Sequence, residues 1–483
     1  MFLRIRNIFR GDKPLFSYSG RQGAFVDKGG QAVLGVIIVL FVVLMLVLLL
    51  LGFPAKFSIF FLLGCLIFVV SFVNTDVALI ILIFSMLLSP EFRAGQVSTR
   101  AIKVRADDIF LILIFIGWFA KMAINKELGL LKATKLNAPI AFYSIICFVS
   151  SFFAIVEGRI GLVESLFYIL KYLEYFLLFF LVANNLKTLH QAKKFIFFLL
   201  LTCLFVSIFA WSQFGAVGRA SAPFEQEGGE PNTFAGYLII MMSLMIGMIL
   251  YPESRRQRAW LSWLLVIAGV AFIRTLSRSG WLSFLPVALT FLILNKRARP
   301  FLIILIIAGV ILLPRLVPKE VHTRVKETFV AWKTYSVLGT KIGLDESAST
   351  RIESWRVGIT RWVQKPIFGF GIPAGAVIDN QYTRVLNETG IIGFGIFIWL
   401  LVSIFRAAKD VYLAYPEENF VRAVTMGFIA GYMGILLLSS AAASFIIIRI
   451  MEPFWFLVSI VVCLPDLLDR EKSMRSTVTE GIT

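Results

Sequence analysis

The sequence predicts an all-α fold: a polytopic membrane bundle of about twelve to fourteen transmembrane helices, with one large helical loop outside it. Three observations carry that prediction. Hydrophobic residues make up 59% of the 483-residue chain, and the mean hydropathy is +0.86. The apolar runs repeatedly approach the roughly 20 residues needed to cross about 30 Å of hydrocarbon. They are far longer than the alternating strands of about ten residues that build membrane barrels. That leaves helices, which satisfy their own backbone groups in lipid. The third observation is where the polar residues go. The largest polar block, Lys319–Glu388, lies between the apolar runs 301–317 and 390–405, not at a terminus. Loops held by a rigid scaffold are where function concentrates.

Taken in order, residues 1–32 are basic and glycine-rich and read as a cytoplasmic tail. Residues 33–317 hold spans near 33–51, 57–73, 77–89, 108–123, 138–156, 162–184, 195–213, 233–251, 259–276, 280–295 and 300–317, with short outer loops at 214–232 and 275–280. Residues 318–388 form the large outer loop. Residues 389–465 hold spans near 389–406, 421–440 and 445–464, and 466–483 are a second cytoplasmic tail. The first run starts at residue 33 and is full length, so it reads as a span and not as a cleavable signal peptide. The runs 77–89 and 280–295 are short, which points to tilted or re-entrant segments.

Lys and Arg set the orientation. The N-terminal tail, the loops around Lys121–Lys135, Lys187–Lys194, Arg255–Arg258 and Lys296–Arg299, and the C-terminal tail all fall on one side, and the positive-inside rule makes that side the cytoplasm. Arg93, Arg100, Lys103 and Arg105 run against the pattern, since they fall outside. The net charge of +18 is dispersed over membrane loops, which fits topology and lipid headgroups and argues against a nucleic-acid partner. The four cysteines (Cys65, Cys147, Cys203, Cys463) lie in apolar spans without metal spacing and read as packing residues. Lys171 and Glu174, three residues apart inside one span, are placed to pair.

Polar features gather on the outer side. In the loop Gly218–Phe224, Arg219 precedes Pro231-Asn232-Thr233, where Asn232 is expected to cap the following helix. The tight turn Thr275–Gly280 carries Arg278, with Arg274 one helical turn before it. An arginine there must be paired, face a polar cavity or snorkel to headgroups. In the large loop, Val321, Val325, Phe329 and Trp332 mark one amphipathic helix. Thr350 and Glu353 fit a capping box for a second. Ile352, Trp355, Ile359 and Trp362 then form its expected packing face, and Pro366 ends it. Asp379-Asn380-Gln381-Tyr382 follows.

The sequence has no Walker A, dinucleotide fingerprint, HExxH or GxSxG motif. Its two histidines and the lack of an Asp-x-Asp cluster leave no expected metal site, and no cofactor is expected. What remains is arginine. Guanidinium groups grip phosphate oxygens bidentately and stay charged. Two or three of them can neutralise a diphosphate whose lipid tail stays in the bilayer. Asp379 is placed either as a general base toward an attacking hydroxyl or as the N-cap of the next helix.

The turn Ser277-Arg278-Ser279-Gly280, the loop Arg219 to Asn232, and the outer-loop pattern together resemble the bacterial O-antigen ligase/polymerase superfamily over about residues 200–410. That pattern comprises Ser349-Thr350-Arg351…Trp355, Pro366 to Gly371, Asp379-Asn380-Gln381-Tyr382 and Glu388-Thr389-Gly390. The resemblance implies a GT-C-like helical fold, no metal or nucleotide, and glycan transfer from undecaprenyl diphosphate on the periplasmic face of the bacterial inner membrane. It puts diphosphate binding on Arg219 and Arg278; the reading built on it adds Arg274 or Arg351 as helpers, Asp379 as the catalytic base, and Asn232, Asn380, Tyr382 and Glu388 in support. Ligases that serve lipid A–core typically have His-Asn where this chain has Asp379-Asn380. The departure favours a polymerase that joins lipid-linked repeat units into O-antigen or exopolysaccharide. A ligase to lipid A–core or another acceptor is the alternative. A flippase is a third reading, from a different class; it should carry polar residues through several spans, and few intramembrane charges stand out. A flippase and a chain-length regulator are the protein partners the resemblance implies, beside membrane lipid.

Overall fold

The computed structural model describes residues 43, 47, 55–97, 100–124, 131–213, 218–224, 230–297, 299–304, 307, 311, 319–327, 333–337, 340–374 and 378–480. The expected tail 1–32, nearly all of the span 33–51, most of the span 300–317, and Phe329 and Trp332 lie outside the described residues. The chain divides into two compact units, residues 1–66 and 67–483. The described part of the first is chiefly the start of helix α1 (Ala55–Val73).

The architecture is the expected all-α membrane class. After α1 come α2 (Thr75–Leu88), a hairpin of β1 (Glu91–Val97) and β2 (Arg100–Arg105), then α3 (Ala106–Ile124), α4 (Asn137–Val156), α5 (Leu162–Asn185) and α6 (Leu189–Ser212). Next are α7 (Pro231–Leu250), α8 (Arg255–Arg274) and α9 (Arg278–Leu294). The long polar stretch holds α10 (Lys319–Glu327), the hairpin β3 (Lys333–Val337) and β4 (Thr340–Leu344), and α11 (Glu346–Trp362). The chain closes with α12 (Gln381–Ala414), α13 (Asn419–Leu438) and α14 (Ile448–Glu480). Both hairpins are antiparallel, pairing Glu91 with Arg105 and Lys333 with Leu344 at their open ends. They are an addition the hydropathy pattern did not announce.

Seven described helices, α4–α7 and α12–α14, are long and apolar enough to cross a bilayer. Shorter apolar helices lie within α1, α2 and α9. The predicted runs at 108–123 and 259–276 are also helical, as α3 and α8, with Asp107 and Asp108 opening one and Arg255, Arg256 and Arg258 opening the other.

The apolar windows of α7 and α14 are each 83% buried, against 39% for α12, so α7 and α14 are central and α12 lies at the periphery. Lipid tails are as apolar as leucine, so helices associate here through close packing. The α7–α13 seam shows how: a Cβ on Gly247 would sit 2.3 Å from the Ala423 carbonyl oxygen, and one on Gly427 would sit 2.8 Å from Leu244 Cα. The two backbones meet where side chains are missing.

Ion pairs tie the basic loops together at one end of the bundle. Lys135 pairs with Asp410 at 2.6 Å, Lys132 with Asp466 at 2.8 Å, Lys472 with Glu418 at 3.3 Å, and Lys193 with Glu253. At the other end, Lys365 pairs with Glu157 at 2.9 Å, and the Gln381 N–H donates to the Ser439 carbonyl at 2.9 Å. These contacts gather the two sets of loops at different ends of the bundle.

A break at Gly390 shapes the end of the bundle that carries the long polar stretch. Its φ of 67° and ψ of −168° lie in a region essentially restricted to glycine. The break strands helix groups on both sides of it, and the segment Pro366–Gly371 takes them up. Phe370 and Gly371 N–H donate to the Asn387 and Glu388 carbonyls at 2.8 and 2.9 Å, and Ile391 N–H donates to the Pro366 carbonyl at 2.8 Å. The Pro-Ile-Phe-Gly-Phe-Gly run is thus a plug for a helix kink.

Candidate active site at an arginine corner

The corner begins with the turn between α8 and α9. Leu276 sits at φ 50°, a strained value for a non-glycine residue, and this lets α9 start at once. Ser277 caps α9 by accepting the Gly280 N–H at 3.2 Å. Its hydroxyl donates to Asn232 Oδ1 at 2.7 Å. The same oxygen accepts Arg219 Nη2 at 3.2 Å, while Arg219 Nε donates to the Thr275 carbonyl at 2.9 Å. The backbone is stitched too, since Ala220 N–H donates to the Arg274 carbonyl at 2.9 Å. One asparagine oxygen therefore joins the loop carrying Arg219 to the turn carrying Arg278.

Arg278 reaches in the other direction. Its Nη2 lies 2.6 Å from Asp345 Oδ2, in a pair with side-chain exposures of 15% and 14%. Asp345 is also the N-cap of α11, its Oδ1 accepting the Ala348 N–H at 3.0 Å. Burial works to raise this carboxyl. The bonds from Arg278 and Ala348, with the charges of Arg278 and Arg324, overcome it and hold the group below its ordinary 3.8.

The arginines feel one another. Burial, then the cations of Arg324, Arg351 and Arg278, pull the Arg219 guanidinium from 12.5 down to about 10. Burial and Arg278 also lower Arg351, with Arg324 adding to them, while Asp379 and Asp345 act in the opposite direction. Four arginines from four segments therefore converge with two carboxylates. Such a cluster is suited to an anionic ligand that shares the like charges out over its oxygens.

The expected residues fall as follows. Arg219, Arg278 and Arg351 lie close enough for their charges to act on one another. Arg274 is tied to the corner through its carbonyl. Asn232 does not cap α7; Pro231 opens that helix, and Asn232 is the bridge just described. The capping box at Thr350 and Glu353 is not formed either. Helix α11 starts a turn earlier, Asp345 caps it, and the Thr350 hydroxyl donates to the Glu346 carbonyl at 2.7 Å. The buried line of α11 is Ser349, Ser354 and Gly358, small residues that let it lie close on α12, whereas Ile359 is 48% exposed. The expected apolar packing face is therefore not the buried one.

Asp379 is exposed and is not the helix cap. Asn380 caps α12, its Oδ1 accepting the Tyr382 and Thr383 N–H groups at 2.8 and 3.0 Å. Its Nδ2 donates to the Ser440 carbonyl at 2.8 Å. The Asp379 N–H donates to Ser354 Oγ at 3.0 Å, which fixes its backbone and leaves the carboxylate to act on Arg351 through space. Tyr382 donates its hydroxyl to the Leu436 carbonyl at 2.7 Å, a structural anchor. Glu388 is buried between Arg384 Nε at 2.9 Å and the Tyr172 hydroxyl at 3.0 Å. Asp345 and Arg324 are the members of the corner that the motif reading missed. An Asp followed by Glu346 at a helix start was a readable cap signal for the first; nothing local marked the second.

Residues 263–398 match the family model described as O-antigen ligase, Wzy_C. No curated protein matches the chain. The matched stretch runs from within α8 into α12 and includes Arg278, Arg324, Asp345, Arg351 and Asp379, while Arg219 and Asn232 lie before it. With its apolar helices, that O-antigen ligase domain supports assigning the chain to the O-antigen ligase/polymerase superfamily, as a multi-pass membrane protein of polysaccharide biosynthesis.

Proposed function

We propose that the chain is a glycosyltransferase that polymerises lipid-diphosphate-linked oligosaccharide units at the outer face of the bacterial inner membrane. The carrying observation is that Arg219, Arg278 and Arg351 act on one another's charge, and that Asp379, exposed and capping no helix, acts on Arg351. The arginines bind the donor's diphosphate while its tail remains in the bilayer. Asp379 accepts the proton of an acceptor sugar hydroxyl. That oxygen attacks the donor's anomeric carbon, the bond from this carbon to the phosphate oxygen breaks, and lipid diphosphate departs. The arginines stabilise the charge that grows on the leaving group. A single displacement of this kind inverts the anomeric configuration.

Asp379 at the position where lipid A–core ligases carry histidine is what favours the polymerase over a ligase. The test is purified protein in liposomes with lipid-diphosphate-linked oligosaccharide and chelator, without nucleotide. A ladder of lengthened glycans supports polymerisation. Transfer only to an added second acceptor gives the ligase reading, and no new bond gives the transporter.

A further inference from the structure

Away from the arginine corner, two recesses meet. One is a cavity of about 300 Å³, with the charged and tyrosine side chains of Glu91, Arg105, Tyr168, Glu230, Arg384 and Arg449 in its wall. The other is an apolar groove of about 430 Å³ between α3, α4 and α5, walled among others by Ile109, Ile112, Ala141, Leu170 and Leu177. Phe167 and Lys171 line both, so the two recesses adjoin at these side chains. The groove follows α5 from Phe167 to Phe180, a length of about 20 Å at 1.5 Å per residue. That is somewhat more than half of a hydrocarbon layer of about 30 Å. Ile112 and Leu170 are 53% and 60% exposed, so the groove faces lipid.

The cavity differs in kind from the arginine corner. Its cations are matched by carboxylates: Arg105 with Asp107 at 2.8 Å, Arg384 with Glu388 at 2.9 Å, Arg449 with Glu91 at 3.5 Å, and Lys171 with Asp108. The Nε of Arg105, a residue 5% exposed, makes no hydrogen bond among the described residues. A wall of matched charges and tyrosines offers donors, acceptors and ring faces without a large net field. It suits a polyhydroxy head better than a bare diphosphate. The cavity also shares walls with the corner. Glu230 and Thr233 line it, while Asn232 between them holds Arg219. Arg449 Nη1 donates to the Pro223 carbonyl at 3.0 Å, on the loop that carries Arg219. Arg384 lies one helical turn beyond Asn380 on α12.

We propose that these adjoining recesses bind the acceptor, a second single-chain lipid-linked saccharide, with its hydrocarbon chain in the groove and its sugar in the cavity. The proposal rests on the glycosyltransferase reading above and adds that the acceptor, like the donor, is held by its lipid. The full chain in detergent micelles is titrated with a synthetic polyprenyl-diphosphate disaccharide, and bound copies are counted by native mass spectrometry. The wild type is expected to bind two. Ile112→Trp with Leu170→Trp, which fills the groove, should bind one. That variant should also raise the acceptor concentration for half-maximal transfer at least tenfold while leaving the donor's unchanged. Arg278→Ala should lose the other copy. A probe with a photoreactive tail should label residues 167–180 of the unaltered protein, which keeps the test independent of how the variants fold. Several results overturn the proposal. They are one bound copy that Arg278→Ala abolishes, two copies retained by the groove variant, labelling only outside α3–α5, or displacement of the groove copy by phosphatidylglycerol as readily as by probe. The first of these leaves the glycosyltransferase reading standing, whereas no binding at all sinks both.

Discussion

Asp345→Asn should tighten diphosphate binding. In the structure Asp345 does two things with two oxygens: Oδ1 caps α11 and Oδ2 holds Arg278 at 2.6 Å. Asparagine caps about as well as aspartate, so the helix should stand. What disappears is the carboxylate that competes with phosphate oxygens for Arg278. Two charges about 4 Å apart at an effective dielectric near 20 attract by roughly 4 kcal/mol, an upper bound. The net worth of a hydrogen bond to a charged group is about 1.5–3 kcal/mol. At about 1.4 kcal/mol per tenfold, a ligand relieved of that competition binds roughly ten- to a hundredfold more tightly. The assay is equilibrium binding of polyprenyl diphosphate to protein in nanodiscs, with the monophosphate as control. Asp345→Ala separates the two roles: it frees Arg278 as well but removes the cap, at about 0.5–2 kcal/mol, and should lower the melting temperature. If Asp345→Asn binds the diphosphate no better than wild type, or more weakly, Asp345 does not stand in the phosphate's place and the competition argument is wrong.

The remaining predictions concern the base, the charges and the kink. Asp379→Asn should leave lipid-diphosphate binding and melting temperature unchanged while lowering turnover by about a hundredfold or more, because Asn380 already caps α12; wild-type turnover would remove Asp379 as the base. Diphosphate affinity should fall as pH rises through about 10, where burial and its neighbours have brought Arg219, and Arg219→Gln should lack that step. The sign follows from the charge: the ligand binds the protonated guanidinium, which is present below that pH and lost above it. Gly390→Ala should destabilise the outer end by several kcal/mol, since its φ is 67° and a Cβ would sit 2.1 Å from the Ile367 carbonyl oxygen; an unchanged melting temperature would show that the kink is not needed.

The parts that hydropathy controls were legible. Helix positions from 57 to 295 and beyond 389 follow from run length, and the shared ends of the loops follow from lysine and arginine. The arginines were legible as chemistry, since few other groups in an apolar chain can hold a diphosphate. Local capping rules succeeded or failed according to tertiary competition. Thr350-x-x-Glu353 satisfies the capping-box spacing, yet Asp345 starts α11 earlier because Arg278, distant in sequence, rewards a carboxylate there. Asn232 fits a cap by position but is taken by Arg219 and Ser277. The buried face of α11 was misread because its partner α12 takes small side chains and not large ones. The buried charges were the least legible. Lys171 and Glu174 do pair, at 3.5 Å, but Lys171 also meets Asp108 on another helix. Arg105, Asp107, Arg449 and Glu452 are buried together although the two pairs are far apart in the chain. They lie where α3 and α14 begin, and not along a path through the bundle.

The central claim is that Arg219 and Arg278 hold one diphosphate between them. A double-mutant cycle on polyprenyl diphosphate binding tests it, using Arg219→Ala, Arg278→Ala and the double variant. Two arginines on one ligand should be coupled: each single change should weaken binding strongly, and the double change should cost less than the two combined, by more than about 0.5 kcal/mol. Losses that add within that margin, or single variants that bind as wild type does, would contradict a shared diphosphate site.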